Sequence, residues 1–430
     1  MTILVIACWA QAVVPRMLQS LTAPKVRAAA GEATAGYTHP AQLSKDALTL
    51  AVLGVCAVVV IGGLRSRRSG AVGVLAVALA PWLYLMVRGA YSHAGLLLAV
   101  LLYPAVVLAV WTLRPRIREL GTLGILVGLT AISCMLMAVV WPDAALFRSS
   151  FGDFIAEDKQ ILPWGMLEGY LTQPNNLGQT LAVGLPLIFL VRPRMLRAVL
   201  VGCTGIALVW TASRSSLYSV AIAAAVAAVV ALARRSRPPA ALLSLAAVAA
   251  TVVVLPLTTS DPSAFTNRGY IWGVSIDAWQ SSPWVGNGAN WYGVIASTAA
   301  NLGSTVFHGH NQAVQIAVTG GVLLLLLVVW QYVLAARRAA RMPGGAGLFA
   351  TTYLAALLGT CILEVSLAYV DNFSLLFVVA LPTAVILFQE APVEHRVGRP
   401  AAPAHSQQDA GKPENRRPAA ELMTVAATDG

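Results

Sequence analysis

Charge is what this 430-residue chain has least of. Only 11% of it is Asp, Glu, Lys or Arg, against 58% hydrophobic residues, and mean hydropathy is +0.73. A soluble domain of this size carries roughly twice that charge, so a water-soluble globular enzyme is excluded. Cysteine is also scarce. Cys8, Cys56, Cys134, Cys203 and Cys361 each sit in an apolar run with no paired spacing, which excludes a disulfide framework and a cysteine metal centre and leaves them as small core residues. Acidic pairs of the DxD kind are missing, and Asp261 and Asp277 stand too far apart to form one; no metal and no cofactor is expected. The first fourteen residues lack the basic stretch of a cleavable signal.

What the chain has in abundance is apolar runs long enough to approach a bilayer's thickness, roughly 17 to 25 residues. Eleven can be marked, near 47–64, 71–87, 94–113, 121–141, 177–191, 198–212, 215–233, 239–257, 312–336, 346–369 and 374–389. Several are short and need loop residues to complete a span. Residues 1–14 are a partial match to a further one, for about twelve in all. The expectation is an all-α polytopic integral membrane protein. From 390 to 430 the chain turns Pro-, Ala- and Gln-rich with mixed charge, the composition of a disordered tail. Five short connections carry three arginines each (65, 67, 68; 114, 116, 118; 192, 194, 197; 234, 235, 237; 337, 338, 341), on every second loop. That is the cytoplasmic signature of the positive-inside rule. It accounts for most of the +11 net charge and removes any argument for nucleic acid.

The opposite connections then face outwards, and two are long: Trp141 to Asn176, net acidic, and Thr258 to Asn311, with Arg268 as its one cation. Arg214, in "TASRSS", opens an apolar run on the same side. An arginine there either snorkels to the interface or faces a partner or a water-filled cavity. The second loop carries Trp272, Trp279, Trp284 and Trp291 with Tyr270 and Tyr292. Ile271, Trp272, Ile276 and Trp279 fall at helical spacing, so 268–280 reads as an amphipathic helix in the interface, broken by Pro283, Gly286 and Gly288. It is either an aromatic anchor or a platform for a lipid-linked ligand. Asn311 is a helix cap for the next span, and His310 stands at that helix entry. There the helix dipole disfavours a proton, so the imidazole would stay neutral and able to act as a general base. A satisfied hydrogen-bonding histidine is the bland alternative, and His308 is its support or is incidental. Two guanidiniums, a base and an amide cluster (Gln173, Asn175, Asn176, Gln179) suggest metal-free displacement of a phosphate-type leaving group.

The succession "QPNNLGQTLAVGLPL", "TASRSS", "NRGYIWG" with "SPWVGNG", and "HGHNQAVQIAVTGG" resembles the O-antigen ligase and O-antigen polymerase superfamily, from about Gln173 to Gly321. The resemblance implies a GT-C-like membrane glycosyltransferase. It would move a glycan from an undecaprenyl-diphosphate carrier to an acceptor lipid, glycan or protein on the outer face of the cytoplasmic (inner) membrane, with inversion. It implies Arg214 and Arg268 for the diphosphate and His310 as the catalytic base. Asn311, His308, Asn176, Gln179, Trp272 and Tyr270 would bind substrate or support. The chain then divides into N-terminal spans with the first outer loop (1–172), the ligase-like core (173–336), C-terminal spans (337–389) and a cytoplasmic tail (390–430). Family members often carry an acid just before the glycine that follows "HN"; this chain reads Val318, Thr319, Gly320, so no acidic helper for His310 is evident. Ligase and polymerase differ only in acceptor. A transporter or flippase of lipid-linked or anionic solutes is the competing class. It would place ionisable groups near mid-membrane, and Glu364, inside the 346–369 run, is the one candidate.

Overall fold

The computed structural model describes residues 1–23, 37–64, 71–91, 97–148, 159–171, 173–233, 236–298, 306, 308–367, 369–370 and 373–389. Its helices are α1 (Thr2–Thr22), α2 (His39–Leu64), α3 (Val72–Tyr91), α4 (Leu102–Leu113), α5 (Gly121–Val140), α6 (Pro174–Ile188), α7 (Arg194–Trp210), α8 (Arg214–Leu232), α9 (Arg237–Thr258), α10 (Ala264–Gln280), α11 (Trp291–Thr298), α12 (Gln312–Arg341), α13 (Gly344–Cys361) and α14 (Leu376–Phe388). The only sheet among the described residues is a two-residue antiparallel pair, Leu146–Phe147 with Met166–Leu167, in the first long outer loop. The expected tail, and Arg65, Arg67, Arg68, Arg234 and Arg235 of the basic connections, lie outside the described residues.

Eight of these helices are long and apolar enough to cross a membrane. The all-α polytopic expectation therefore holds. The spans expected at 177–191 and 198–212 become α6 and α7, of 15 and 17 residues, too short to cross a bilayer upright without flanking residues. The opposite departure occurs at the start, where the partial run 1–14 is a full helix of 21 residues. The sequence reading stopped at Pro15 and Arg16; the helix continues through both. Exposed side chains such as Val58, Leu136, Leu243 and Leu326 give the bundle an apolar exterior, as lipid contact demands. The centre is α13, 67% of whose residues are buried against 17% along α2, together with α14, all thirteen residues of which are buried.

One irregularity fixes the outer end of the bundle. α12 is broken at Gly321, which has φ +66°. In an unbroken helix the Val322 and Leu323 amides would bond to the carbonyls of Val318 and Thr319. Here "SPWVGNG" takes over all four groups. Asn287 N–H donates to Val318 O (2.6 Å) and Gly288 N–H to Thr319 O (3.2 Å), while Val322 and Leu323 N–H donate to Pro283 O (2.9 Å) and Trp284 O (3.2 Å). At membrane depth orphaned peptide groups are not tolerated, so loop and break require each other. Gly286, at φ +65°, lets the two backbones meet: an added Cβ would lie 2.5 Å from the Gly320 nitrogen. From α3, Arg88 Nη2 donates to Gly286 O and Tyr84 OH to Gly320 O, both at 2.8 Å.

Gly286→Ala should therefore destabilise the protein by roughly 2–4 kcal/mol, from strain and backbone overlap together. Gly273→Ala, where no atom lies within 4 Å, should be neutral or slightly stabilising. Thermal unfolding in detergent compares the two; equal melting temperatures would show that the loop does not seal the break.

Candidate active site

α13 ends at Cys361, and the connection after it brings Glu364, whose N–H still donates to Thr360 O at 3.0 Å, to the end of the bundle where α6, α8 and α12 begin. The connection is held by the first residues of α12. Gln312 Oε1 accepts the Ser366 and Leu367 amides (2.8 and 2.9 Å). Asn311 Nδ2 donates to Ile362 O and Val252 O, each at 2.9 Å, while its Oδ1 caps α12 by accepting Val314 N–H at 3.0 Å. Ser366 Oγ donates to Thr360 Oγ1 (2.9 Å) and Gln179 Oε1 (3.4 Å). Irregular backbone at this depth persists because its polar groups are satisfied in this way.

Glu364 gathers four elements. Its side chain is 3% exposed. Oε1 accepts from Arg268 Nη2 and from Asn175 Nδ2 (3.1 Å), with Ser215 Oγ at 3.5 Å. Oε2 faces His310 Nδ1 at 3.6 Å, a separation longer than a hydrogen bond. Burial raises the Glu364 pKa, but His310 and the Arg268 guanidinium more than offset it and hold the carboxyl at about 2. It is an anion at any physiological pH. Arg268, 14% exposed, also donates from Nη1 to Phe265 O at 3.1 Å.

His310 is held in a strained position. It has φ +43°, a backbone region that non-glycine residues adopt at some energetic cost, and its ring lies tilted against His308 at 3.8 Å between centres. The His310 amide donates to His308 Nδ1 at 3.1 Å, and Gly309 N–H donates to Gln315 Oε1 at 2.8 Å. Burial lowers the His310 pKa below its ordinary value; Glu364 acts the other way, and Arg268 and Lys159 add to the lowering. Burial, with His310 beside it, takes His308 lower still. His310 is therefore a neutral imidazole at pH 7, as the sequence suggested, with burial rather than the helix dipole as the leading cause. Nδ1 is the ring nitrogen that faces Glu364.

The first outer loop contributes a further cation. Burial lowers the Lys159 pKa to about 8; repulsion from Arg268 and Arg214 adds to this and Glu364 opposes it. Arg214, exposed at the first position of α8, thus stands within electrostatic reach of the cluster. Among the described residues, three cations accompany one carboxylate, a balance suited to a multiply charged anion.

His308, His310 and Glu364 offer ligand atoms within 4.8 Å of one another, a spacing that a divalent ion can span. The donors argue against one. His308 Nδ1 is engaged by a backbone N–H, which puts the ring proton on Nε2, and Arg268 sits on the carboxylate. The group is better suited to proton transfer.

Of the residues that the sequence nominated, His310, His308, Arg268 and Asn311 come together, with Arg214 nearby. In α6 it is Asn175 rather than Asn176 that reaches Glu364; Asn176 uses its backbone, N–H to Gln173 O and carbonyl from Thr180 Oγ1, and Gln179 reaches Ser366. The expected helix 268–280 is present: Phe265, Thr266 and Asn267 have left-handed φ and regular turns follow. Its aromatic face points inwards, however. Trp272 is 1% exposed and packs on Phe265 with ring centres 5.5 Å apart, so it belongs to the core and not to an open platform; Tyr270 is exposed. Sequence reasoning missed Glu364 and Lys159 as site residues. A single acid inside the 346–369 apolar run was the available signal for Glu364.

Residues 181–329 match the family model described as O-Antigen ligase. This bears out the resemblance drawn from the motifs and, at the level of the family, supports a glycosyltransferase-like ligase or polymerase in a membrane. The matched stretch contains Arg214, Arg268, His308, His310 and Asn311 and ends before Glu364. No curated protein matches the chain.

Arg268→Ala or Glu364→Ala alone strands a buried charge and should cost about 3–5 kcal/mol. The double variant should lose less than the sum by about 1–3 kcal/mol. Unfolding in detergent measures all three, and strict additivity would mean that the pair is not coupled.

Proposed function

We propose that this chain, with its O-antigen-ligase-type segment at 181–329, transfers a glycan from an undecaprenyl-diphosphate carrier to an acceptor hydroxyl. His310 Nε2 takes the hydroxyl proton, and the acceptor oxygen attacks the anomeric carbon. The bond from that carbon to the diphosphate oxygen breaks, and the diphosphate leaves on the carrier. A single displacement of this kind inverts the anomeric centre. Arg214, Arg268 and Lys159 meet the charge that grows on the leaving group; arginine forks match phosphate oxygens. Glu364 is a positioning residue: it fixes the His310 ring and the Arg268 fork without touching substrate. The observation that carries the reading is the convergence of Arg268 and His310 on one buried carboxylate.

Two features support the membrane part of the proposal. The cluster lies where α6, α8 and α12 begin, whereas the triple arginines 192–197 and 337–341 lie where α6 and α12 end. With arginine loops in the cytoplasm, the cluster faces outwards. An apolar cavity of about 300 Å³ also runs between α9 and α12, from Gln312 beside the site to Arg337, lined by residues such as Leu245, Ala249, Ile316 and Val329. A polyisoprenoid tail fits that chemistry. Glu364, which alone pointed to transport, stands beyond α13 in the same cluster as His310, and this favours transfer. Whether the acceptor is a lipid, a protein or a growing glycan separates ligase from polymerase, and both use the same chemistry.

Purified protein in nanodiscs, given a lipid-linked glycan and acceptor, should release undecaprenyl diphosphate. His310→Ala should bind the carrier normally yet lose about 10²–10⁴-fold in rate; unchanged turnover would remove the base. The base form of His310 is lost as pH falls through its depressed pKa, so kcat should fall only below the usual histidine range. Glu364→Gln, by removing the influence that raises that pKa, should move this acid limb to lower pH as well as slow the reaction. A limb that stays in place would dissociate Glu364 from His310. Chelation should leave the rate unchanged, and inhibition reversed by a divalent ion would overturn the metal-free reading.

A further inference from the structure

A second cationic site stands apart from the Glu364 cluster and shares no residue with it. Arg16 lies in α1, a helix long and apolar enough to cross a membrane, six residues from its end, or about 9 Å along the axis. An arginine at such a position faces a partner or a wet cavity. Arg16 faces a cavity of about 200 Å³ bounded by α1, α2 and the end of the connection before α14, lined by Gln11, Pro15, Arg16, Tyr37, Lys45 and Phe373 among others. A single water needs about 10–15 Å³ measured in the same way, so the space holds a polyatomic ligand.

The donors in this cavity outnumber the acceptors. Arg16 Nη1 is buried without a hydrogen-bond partner, and the Tyr37 side chain lines the same cavity. The Lys45 ammonium stands 4.8 Å from the centre of the Tyr37 ring. Neither cation has a carboxylate within ion-pair distance among the described residues. Asp46, the next residue along α2, is exposed and taken by the Gln42 amide at 2.9 and 3.0 Å. Gln11 turns its Nε2 to Thr49 Oγ1 (3.4 Å) and keeps a buried Oε1 without a partner. Leaving a buried cation uncompensated is strongly unfavourable, and the described residues around these two offer no carboxylate within ion-pair distance.

We propose that this cavity binds a phosphate group. Guanidinium and ammonium come from α1 and α2 and the phenol from Tyr37, two residues before α2, so three donors from separate points of the chain line one cavity. That suits a tetrahedral ligand with several acceptor oxygens better than a flat carboxylate. The cavity opens at the same end of the bundle as the Glu364 cluster, because Phe373 and Glu364 stand in one connection between α13 and α14. The phosphate is therefore presented on the face where transfer takes place. It comes either from a phospholipid headgroup at that depth or from a phosphorylated molecule in the adjoining water, and the binding chemistry is the same.

The test uses full-length protein without donor or acceptor, so its outcome is independent of whether transfer occurs. Inorganic phosphate is titrated against protein in neutral detergent and followed by melting temperature, with chloride at equal ionic strength as the control. In parallel, native mass spectrometry counts phosphatidylglycerol retained after delipidation and re-addition. Wild type should respond saturably to one or both probes, and Arg16→Gln and Lys45→Gln should each weaken that response about tenfold or more. Lys45→Gln, at a partly exposed position, keeps the test open if Arg16→Gln fails to fold. A response to phosphatidylglycerol alone identifies the headgroup as the source; a response to inorganic phosphate identifies the soluble one. No response, or one undiminished in Lys45→Gln, overturns the proposal.

Discussion

Glu364 gives one carboxylate oxygen to Arg268 and Asn175 and turns the other towards His310. Removing a carboxylate from water costs several kcal/mol unless charge and hydrogen bonds replace the solvent, and the outer end of this bundle is organised around that replacement. Arg268 comes from the long loop, Asn175 and Ser215 from the starts of two helices, and His310 from the residue before the Asn311 cap. Loss of the carboxylate would remove the one group that offsets the repulsion among Arg268, Lys159 and Arg214 in the Lys159 environment. The same anion that aligns the guanidinium also faces the imidazole, so leaving-group recognition and proton removal share one support.

A second constraint places Arg268 where Glu364 can reach it. α10 is followed directly by the loop that seals the break in α12, and four backbone hydrogen bonds join the two. The glycines of "VGNG" and "TGG" are one feature in space, although 33 residues separate Gly288 from Gly321. Arg88 and Tyr84 of α3 brace the joint from the other side. Reorganising an active site by moving this loop would expose peptide groups at membrane depth, and that favours a preformed constellation over one assembled on binding.

Much of this was legible from residue order alone. The apolar runs gave the spans because bilayer thickness fixes helix length. His310, Asn311, Arg268 and Arg214 stood out because each is a polar group at a helix entry, a local property. Glu364 did not, since its significance lies in contacts 54 to 189 residues away. The sequence next to His310 offers no acid, and the fold supplies one from another connection. Lys159 was hidden for the same reason, inside a loop that reads as net acidic. Asn175 and Asn176 could not be told apart without the helix phase. Trp272 was misplaced because an amphipathic stripe on a loop helix fits a lipid surface and a protein core equally well. α1 was cut short because a proline and an arginine normally end an apolar run, whereas Arg16 here faces a cavity.

The account depends on His310 being a neutral imidazole, oriented by a carboxylate, in the resting protein. Nitrogen-15 NMR of histidine-labelled protein in nanodiscs measures this directly, with the His310 signal assigned by its loss in His310→Gln. The account predicts a neutral ring at pH 7 with its proton on Nδ1, titrating below the ordinary histidine range. A ring that is protonated at pH 7, or that titrates above that range, would contradict it.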